Sequence, residues 1–344
     1  MRVLKYSEAI AEATVQCMAA DPSILLAGQC VDDAKGIYGT TVSAARRFGP
    51  ARVIDIPNCE TAFAGMAVGA ASRGLRPLVT YTRDDFMFLA MDGIFNLAAK
   101  WRYMYGGRSG VPVVMRGVVG HGWGQGATHS QSLHTVFGHF PGLRVATPAS
   151  PADAKGLLVS ALRGDNPVVL IENRGLYESV GEVPEELYEV PFGKGRIVRA
   201  GDDVTIVAVS LMVREAERAA MALAEQGVSA EVVDLRSIRP LDEEIVLTSV
   251  AKTGRLVIAD TTWARYGVGA EVAAVVAEQM PSALRAPVRR IAPPDCPAPV
   301  SWPLEEAYNP DATDIAQACL AVLRSGQDIL VKQDELARDF VGPY

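Results

Sequence analysis

The feature that most constrains this chain is a succession of short, nearly unbroken apolar runs, each followed by a stretch of helical character. Residues 24–29, 53–57, 78–82, 113–116, 144–148 and 168–172 read as strands. Residues 7–20, 41–48, 60–72, 86–103, 130–140 and 151–163 between them read as helices. A strand that is apolar on both faces needs cover on both, and the intervening helices supply it. The expected fold class is therefore α/β, built on a parallel sheet.

The rhythm breaks at a Glu-, Pro- and Gly-rich stretch, Val180-Gly181-Glu182-Val183-Pro184-Glu185-Glu186, and then resumes on a smaller scale. Strands are expected at 205–210, 230–235, 256–260 and 288–291, and helices at 213–226, 242–251, 270–280 and 314–323. The boundaries that follow are a first domain over 1–174, a linker over 175–201 and a smaller α/β domain over 202–323. A tail over 324–344 carries an apolar patch (Ile329, Leu330, Val331, Leu336, Phe340), which suits either an extra helix lying on a partner or a frayed end. No internal repeat relates the halves.

With 344 residues, 49% of them hydrophobic, the chain can bury two cores without disulfides or structural metal. Its 33 basic residues against 40 acidic ones give a net charge of −7, which offers no basic footprint for nucleic acid. The five cysteines (Cys17, Cys30, Cys59, Cys296, Cys319) are scattered and form no Cys-x-x-Cys pair, the pattern of reduced thiols. No apolar run approaches the ~18 residues of a membrane span. The first residues, Met1-Arg2-Val3-Leu4-Lys5, lead straight into a helical pattern without a signal peptide. The expectation is a cytoplasmic protein that binds neither membrane nor nucleic acid.

Four groups of residues could carry chemistry. Glu60 opens a helix directly after a strand and the loop Pro57-Asn58-Cys59; alone, it reads as an acid complementing the helix dipole. Gly65 and Gly69 follow on one side of that helix among alanines. A glycine costs about 1 kcal/mol in a helix interior, so the pair suggests close approach of another backbone, plausible at a subunit interface. The four histidines, His121, His129, His134 and His139, fall in one region. Steps of five residues rotate successive helical side chains by about 140°, and no cysteine or His-Glu-x-x-His pattern accompanies them, so no metal site is expected. The glycine-rich segment 117–129 follows a strand end, where open α/β sheets bind ligands, and matches neither a P-loop nor a dinucleotide fingerprint; a surface loop remains its plain alternative. His129 closes this segment and could move a proton near neutral pH. The aromatics Phe86, Phe88, Trp101, Tyr103 and Tyr105 suit packing, or in one case stacking on a planar ring.

Together these residues carry a resemblance. Glu60 with its glycines, Ala98-Ala99-Lys100-Trp101-Arg102-Tyr103-Met104-Tyr105-Gly106-Gly107 and Ala127-Thr128-His129-Ser130-Gln131-Ser132 resemble the β subunit of pyruvate and branched-chain 2-oxo acid dehydrogenases, in the transketolase-like superfamily. So do Val233-Asp234-Leu235-Arg236-Ser237-Ile238-Arg239-Pro240-Leu241-Asp242, Tyr266-Gly267-Val268-Gly269-Ala270-Glu271-Val272 and Asp295-Cys296-Pro297-Ala298-Pro299. The similarity runs from about residue 6 to 323. It implies a pyrimidine-binding domain and a transketolase C-terminal-type domain, with thiamine diphosphate and Mg²⁺ at an interface with an α-type partner in an α2β2 heterotetramer. The partner's Gly-Asp-Gly and Asn-Asn motif is missing here: Gly164-Asp165-Asn166 and Gly201-Asp202-Asp203 do not fit it. The chain is therefore expected to be inactive alone.

The resemblance further implies that Glu60 hydrogen-bonds the aminopyrimidine ring of the cofactor, favouring the tautomer that removes the thiazolium proton before a 2-oxo acid is decarboxylated. Phe86 matches an aromatic beside the pyrimidine, and His129 a histidine that assists acyl transfer to a lipoyl arm on an acyltransferase core. Thr82 and Gln29 are expected at the cofactor's edge. Gly28-Gln29-Cys30 replaces the acidic Gly-Glu-Asp or Gly-Glu-Glu of many relatives, and Thr82-Arg83-Asp84-Asp85 is more charged than usual. Gly164 replaces an acidic ligand of a structural K⁺ in relatives. Two other readings stay open: a split transketolase or acyloin-type carboligase subunit, and a non-catalytic scaffold.

Overall fold

The structure is a computed structural model describing residues 2–33, 36–121, 124–323 and 329–331. It divides into two compact units, one formed by Met1–Gly120 and Val136–Phe192, the other by His121–Thr135 and Gly193–Arg338.

In the first unit a two-stranded antiparallel sheet joins β1 (Arg2–Lys5) to β8 (Val180–Val183). The main sheet has six parallel strands: β2 (Ile24–Gly28), β3 (Val53–Asp55), β4 (Arg76–Tyr81), β5 (Val114–Val119), β6 (Arg144–Ala146) and β7 (Val168–Asn173). They lie in the order β6-β7-β5-β4-β2-β3. Every residue of β5 and β7 is buried, as a sheet covered on both faces requires. Helices α1 (Tyr6–Ala20) and α7 (Pro151–Arg163) pack on each other. Ser150 caps α7 by accepting from the Asp153 amide, and Pro151 sits at its first position. Helix α2 (Val42–Phe48) leads into β3, and α3 (Glu60–Ser72) leads from it into β4.

The helix expected over 86–103 is present and right-handed throughout 84–104, with α4 (Asp84–Met87), a 3-10 turn Phe88–Ala90, a π-helical stretch Asp92–Ala98 and α5 (Ala99–Met104) following one another without a break. Gly93 in the widened part presses on α3, where a Cβ would come within 2.6 Å of the Ala64 Cβ. The helix expected over 130–140 shrinks to α6 (His134–His139). Serines 130 and 132 compete for backbone hydrogen bonds and are weak helix formers, consistent with the irregular path before it. Stacked Phe95 and Phe140 rings, 3.7 Å apart, fix the helix-to-strand passage that follows.

The second unit has five strands in the order β14-β13-β10-β11-β9. Strands β10 (Val204–Ala208), β11 (Ala230–Asp234), β13 (Leu256–Ala259) and β14 (Arg289–Ile291) are parallel. β9 (Arg196–Arg199) adds an antiparallel edge beside β11. Helices α8 (Leu211–Glu225), α9 (Glu243–Thr253), α10 (Val268–Gln279), α11 (Trp302–Tyr308) and α12 (Ala312–Leu323) complete it, with a short strand β12 (Ser237–Arg239) after β11. Val207, Val233, Leu235, Val250, Leu256, Ile258 and Val272 form its core, each side chain contributing roughly 1.5–3 kcal/mol.

The stretch 175–201 thus carries β8 and β9 as well as connecting chain. Of the tail, Ile329 and Val331 are buried and Leu330 is exposed. The Val331 amide donates to Thr313 Oγ1 at 3.2 Å and the Ile329 carbonyl accepts from Gln317 Nε2 at 3.4 Å, so these residues pack against α12. Leu336 and Phe340 lie outside the described residues. Among the described residues no helix is long and apolar enough to cross a membrane.

Candidate active site

β2 and β4 are neighbours, with Gly28 paired to Thr80. A Cβ on Gly28 would fall 2.3 Å from the Thr80 carbonyl oxygen, so only glycine allows this approach. The register brings the residues just past both strands together. Thr82 Oγ1 lies 3.4 Å from Gln29 Oε1, and Gln29 Nε2 donates to Glu60 Oε1 at 2.9 Å. Glu60 is the first residue of α3 and is 8% exposed. The α3 N-terminus has no side-chain cap, and an anionic Glu60 there complements the free amides. Gln29, Glu60 and Thr82 thus form one hydrogen-bonded line at the carboxyl edge of the sheet. Phe86 stands half-buried on α4, four residues beyond Thr82.

Tyr81, the last residue of β4, is 3% exposed, and its hydroxyl has no hydrogen-bond partner among the described residues. Burial, and then the charge of Glu60, pushes its phenol well above the usual range. It stays a neutral donor. The Glu60 carboxylate, held by Gln29, suits a polar heterocycle whose ring nitrogen can share a hydrogen bond with it.

Deeper in the unit, the Arg116 guanidinium pairs with Glu172, Nη2 to Oε2 at 2.9 Å, and donates to Thr40 Oγ1 at 3.1 Å. The Tyr177 hydroxyl donates to Glu172 Oε2 at 2.8 Å. Burial opposes the Arg116 charge, but Glu172 outweighs it and raises the arginine above its usual value. Arg83 and Arg174 both donate to the Tyr38 hydroxyl, at 2.9 and 3.1 Å. Burial, and then the Arg83 charge, lowers Arg174 to about 10. Tyr81, Tyr38, Arg116, Arg174 and Glu172 do not stand out as site residues in the sequence. The available signal was a charge inside an apolar strand, as in Val114-Met115-Arg116-Gly117 and Leu170-Ile171-Glu172.

The first unit therefore holds Glu60, Gln29, Thr82 and Phe86, while His129 belongs to the second. His129 follows a 3-10 turn, Gly126–Thr128, and its amide donates to the Gly126 carbonyl. Its half-exposed ring places Nδ1 2.9 Å from Thr128 Oγ1. Gly126 has φ +65°, and a Cβ there would lie 2.6 Å from Val300 Cγ2. That position requires glycine on both counts. Around Gly65 and Gly69, by contrast, no atom lies within 4 Å of an added Cβ. The close backbone expected there is not supplied by the described residues of this chain.

Residues 2–179 match the family described as "Transketolase, pyrimidine binding domain", and residues 193–315 match "Transketolase, C-terminal domain". The acetoin:2,6-dichlorophenolindophenol oxidoreductase subunit beta of Cupriavidus necator is 43% identical, over 95% of this chain and 99% of that protein. The mitochondrial pyruvate dehydrogenase E1 component subunit beta-2 of Oryza sativa subsp. japonica is 44% identical, over 90% and 84%. The chain belongs to the E1 β-subunit family of 2-oxo acid dehydrogenases. Members of this transketolase-like family use thiamine diphosphate, and the line from Thr82 to Glu60 lies in the domain that takes the pyrimidine. The α/β architecture is also that of a split-gene transketolase whose structure is an inactive β4 tetramer, with a TM-score of 0.77, 25% identity and coverage of 94% of this E1-type chain and 99% of the other.

Proposed function

We propose that this chain is the β subunit of a thiamine-diphosphate-dependent 2-oxo acid dehydrogenase, acting with an α-type partner that holds the diphosphate and Mg²⁺ in an α2β2 assembly. The observation that carries the reading is Glu60, buried at the start of α3 and oriented by Gln29 in the pyrimidine-binding domain. When bound, the cofactor supplies the electron sink for loss of CO₂ from a 2-oxo acid. Glu60 would hydrogen-bond the pyrimidine ring nitrogen, with its bond from Gln29 leaving the other carboxylate oxygen for that contact. Phe86 would pack beside the ring. His129, whose Nδ1 lies 2.9 Å from Thr128 Oγ1, would hold or give a proton during acyl transfer to a lipoyl arm. The open face at Gly65 and Gly69 is a place for a partner's backbone.

A second reading is cleavage of an acyloin with the same residues. It is favoured by the identity to an acetoin oxidoreductase β subunit along nearly the whole of both chains. Co-expression with the candidate α-type chain, followed by assays of 2-oxo acids and acetoin with and without thiamine diphosphate, separates the two. Cofactor-dependent CO₂ release and reductive acylation of a lipoyl domain support the first. Turnover of acetoin alone supports the second, and no turnover of either leaves the scaffold reading in place.

A further inference from the structure

The second unit's sheet has its topological switch between β10 and β13: the chain passes from β10 to β11 on one side and from β13 to β14 on the other. Open α/β sheets bind ligands at the carboxyl ends of strands flanking such a point. Here Asp260, the residue after β13, is engaged by the chain's own His134. His134 Nε2 donates to Asp260, 3.0 Å from Oδ1 and 3.2 Å from Oδ2. The residues are 1% and 3% exposed. Asp260 is itself held: its amide donates to the Ile291 carbonyl at 3.1 Å, and Oδ1 accepts from the Thr262 amide at 3.3 Å. A carboxylate at this depth needs partners, and a histidine donating from Nε2 is fixed in ring orientation.

His134 closes the segment that begins at His121, whose only regular element among its described residues before α6 is the turn Gly126–Thr128. Loops of this kind take their geometry from where they are tied down. Two ties lie in the same unit: Gly126 against Val300, and His134 on Asp260. His129 stands between them, five residues before His134, and five residues span at most about 17 Å of chain.

We propose that the buried Asp260–His134 pair is the anchor that positions the His129 loop for acyl transfer. This rests on the reading of His129 given above. Asp260 and His134 act through His129 and are positioning residues, not groups that touch the reacting atoms.

The test compares two rates measured on the same preparation of the reconstituted complex: acyl transfer to a lipoyl domain, and reduction of an artificial dye acceptor by the same substrate. Any loss of folded enzyme cancels in their ratio. Asp260→Asn and, separately, His134→Gln are expected to lower the ratio of acyl transfer to dye reduction at least tenfold, as His129→Ala does. If both rates fall in parallel in Asp260→Asn while His129→Ala still lowers the ratio, the pair is merely structural and the inference is overturned. If His129→Ala leaves the ratio unchanged, the reading of His129 has failed and the anchoring role goes with it.

Discussion

Replacing Gln29 by leucine keeps the side chain's bulk and removes the donor on Glu60 Oε1. That bond is 2.9 Å long and ends on a carboxylate, a class worth about 1.5–3 kcal/mol. Gln29 is half-buried, which places the loss near about 1.5–2 kcal/mol. At 1.36 kcal/mol per decade this becomes a roughly 10–30-fold fall in cofactor-dependent turnover. The next link is weaker. Thr82 reaches Gln29 at 3.4 Å, near the limit of a hydrogen bond, so Thr82→Val should cost about threefold or less. The assay is decarboxylation by the reconstituted complex at saturating thiamine diphosphate, with thermal unfolding of the β chain measured in parallel. A half-buried loop residue should leave unfolding within about 1 kcal/mol of the parent. Turnover of Gln29→Leu within twofold of the parent, or an equal loss in Thr82→Val, would show that Glu60 is not oriented through Gln29.

Other consequences concern the scaffold and the thiols. Gly126→Ala forces a side chain into φ +65° and against Val300, and calorimetry should show a loss of about 1–3 kcal/mol, a drop of roughly 3–8 °C. Arg116→Met leaves Glu172 buried without its guanidinium, and denaturant unfolding should register about 3–5 kcal/mol of destabilisation. Burial pushes the Cys17 thiol up to about 11 and Cys319 higher still, so neither carries appreciable thiolate at pH 8. Burial and the nearby Asp55, Asp33 and Asp32 also raise exposed Cys30. Peptide mass spectrometry after alkylation at pH 8 should find the exposed Cys30, Cys59 and Cys296 labelled in the folded chain, with Cys30 labelling faster as pH rises, and Cys17 and Cys319 only after unfolding.

The main sheets were legible in the sequence because a strand buried on both faces writes an apolar run that little else imitates. Strands β1, β8 and β9 were not: each has four residues, and each lies in a two-stranded sheet or at an edge with exposed positions, so polar residues interrupt the signal. The 86–103 helix was legible from its pattern, but its π-helical stretch was not: it holds Gly93, which lies on α3 in a tertiary contact that local periodicity does not encode. Glu60 stood out through its motif context. In the sequence Gln29 shows only as the loss of an acid, whereas in the structure it is the donor to Glu60. Tyr81 left no trace in the sequence, because an unmet hydroxyl is defined by what surrounds it.

Cofactor activation depends on the Glu60 carboxylate, and Glu60→Gln removes it with the least change of shape. Glutamine keeps the size and one carbonyl acceptor but cannot hold the charge that supports the reactive tautomer of the cofactor. With the variant chain folded and bound to its α-type partner, thiamine-diphosphate-dependent turnover should fall at least about 100-fold. Turnover within twofold of the parent would contradict the assignment of Glu60 as the cofactor-activating residue.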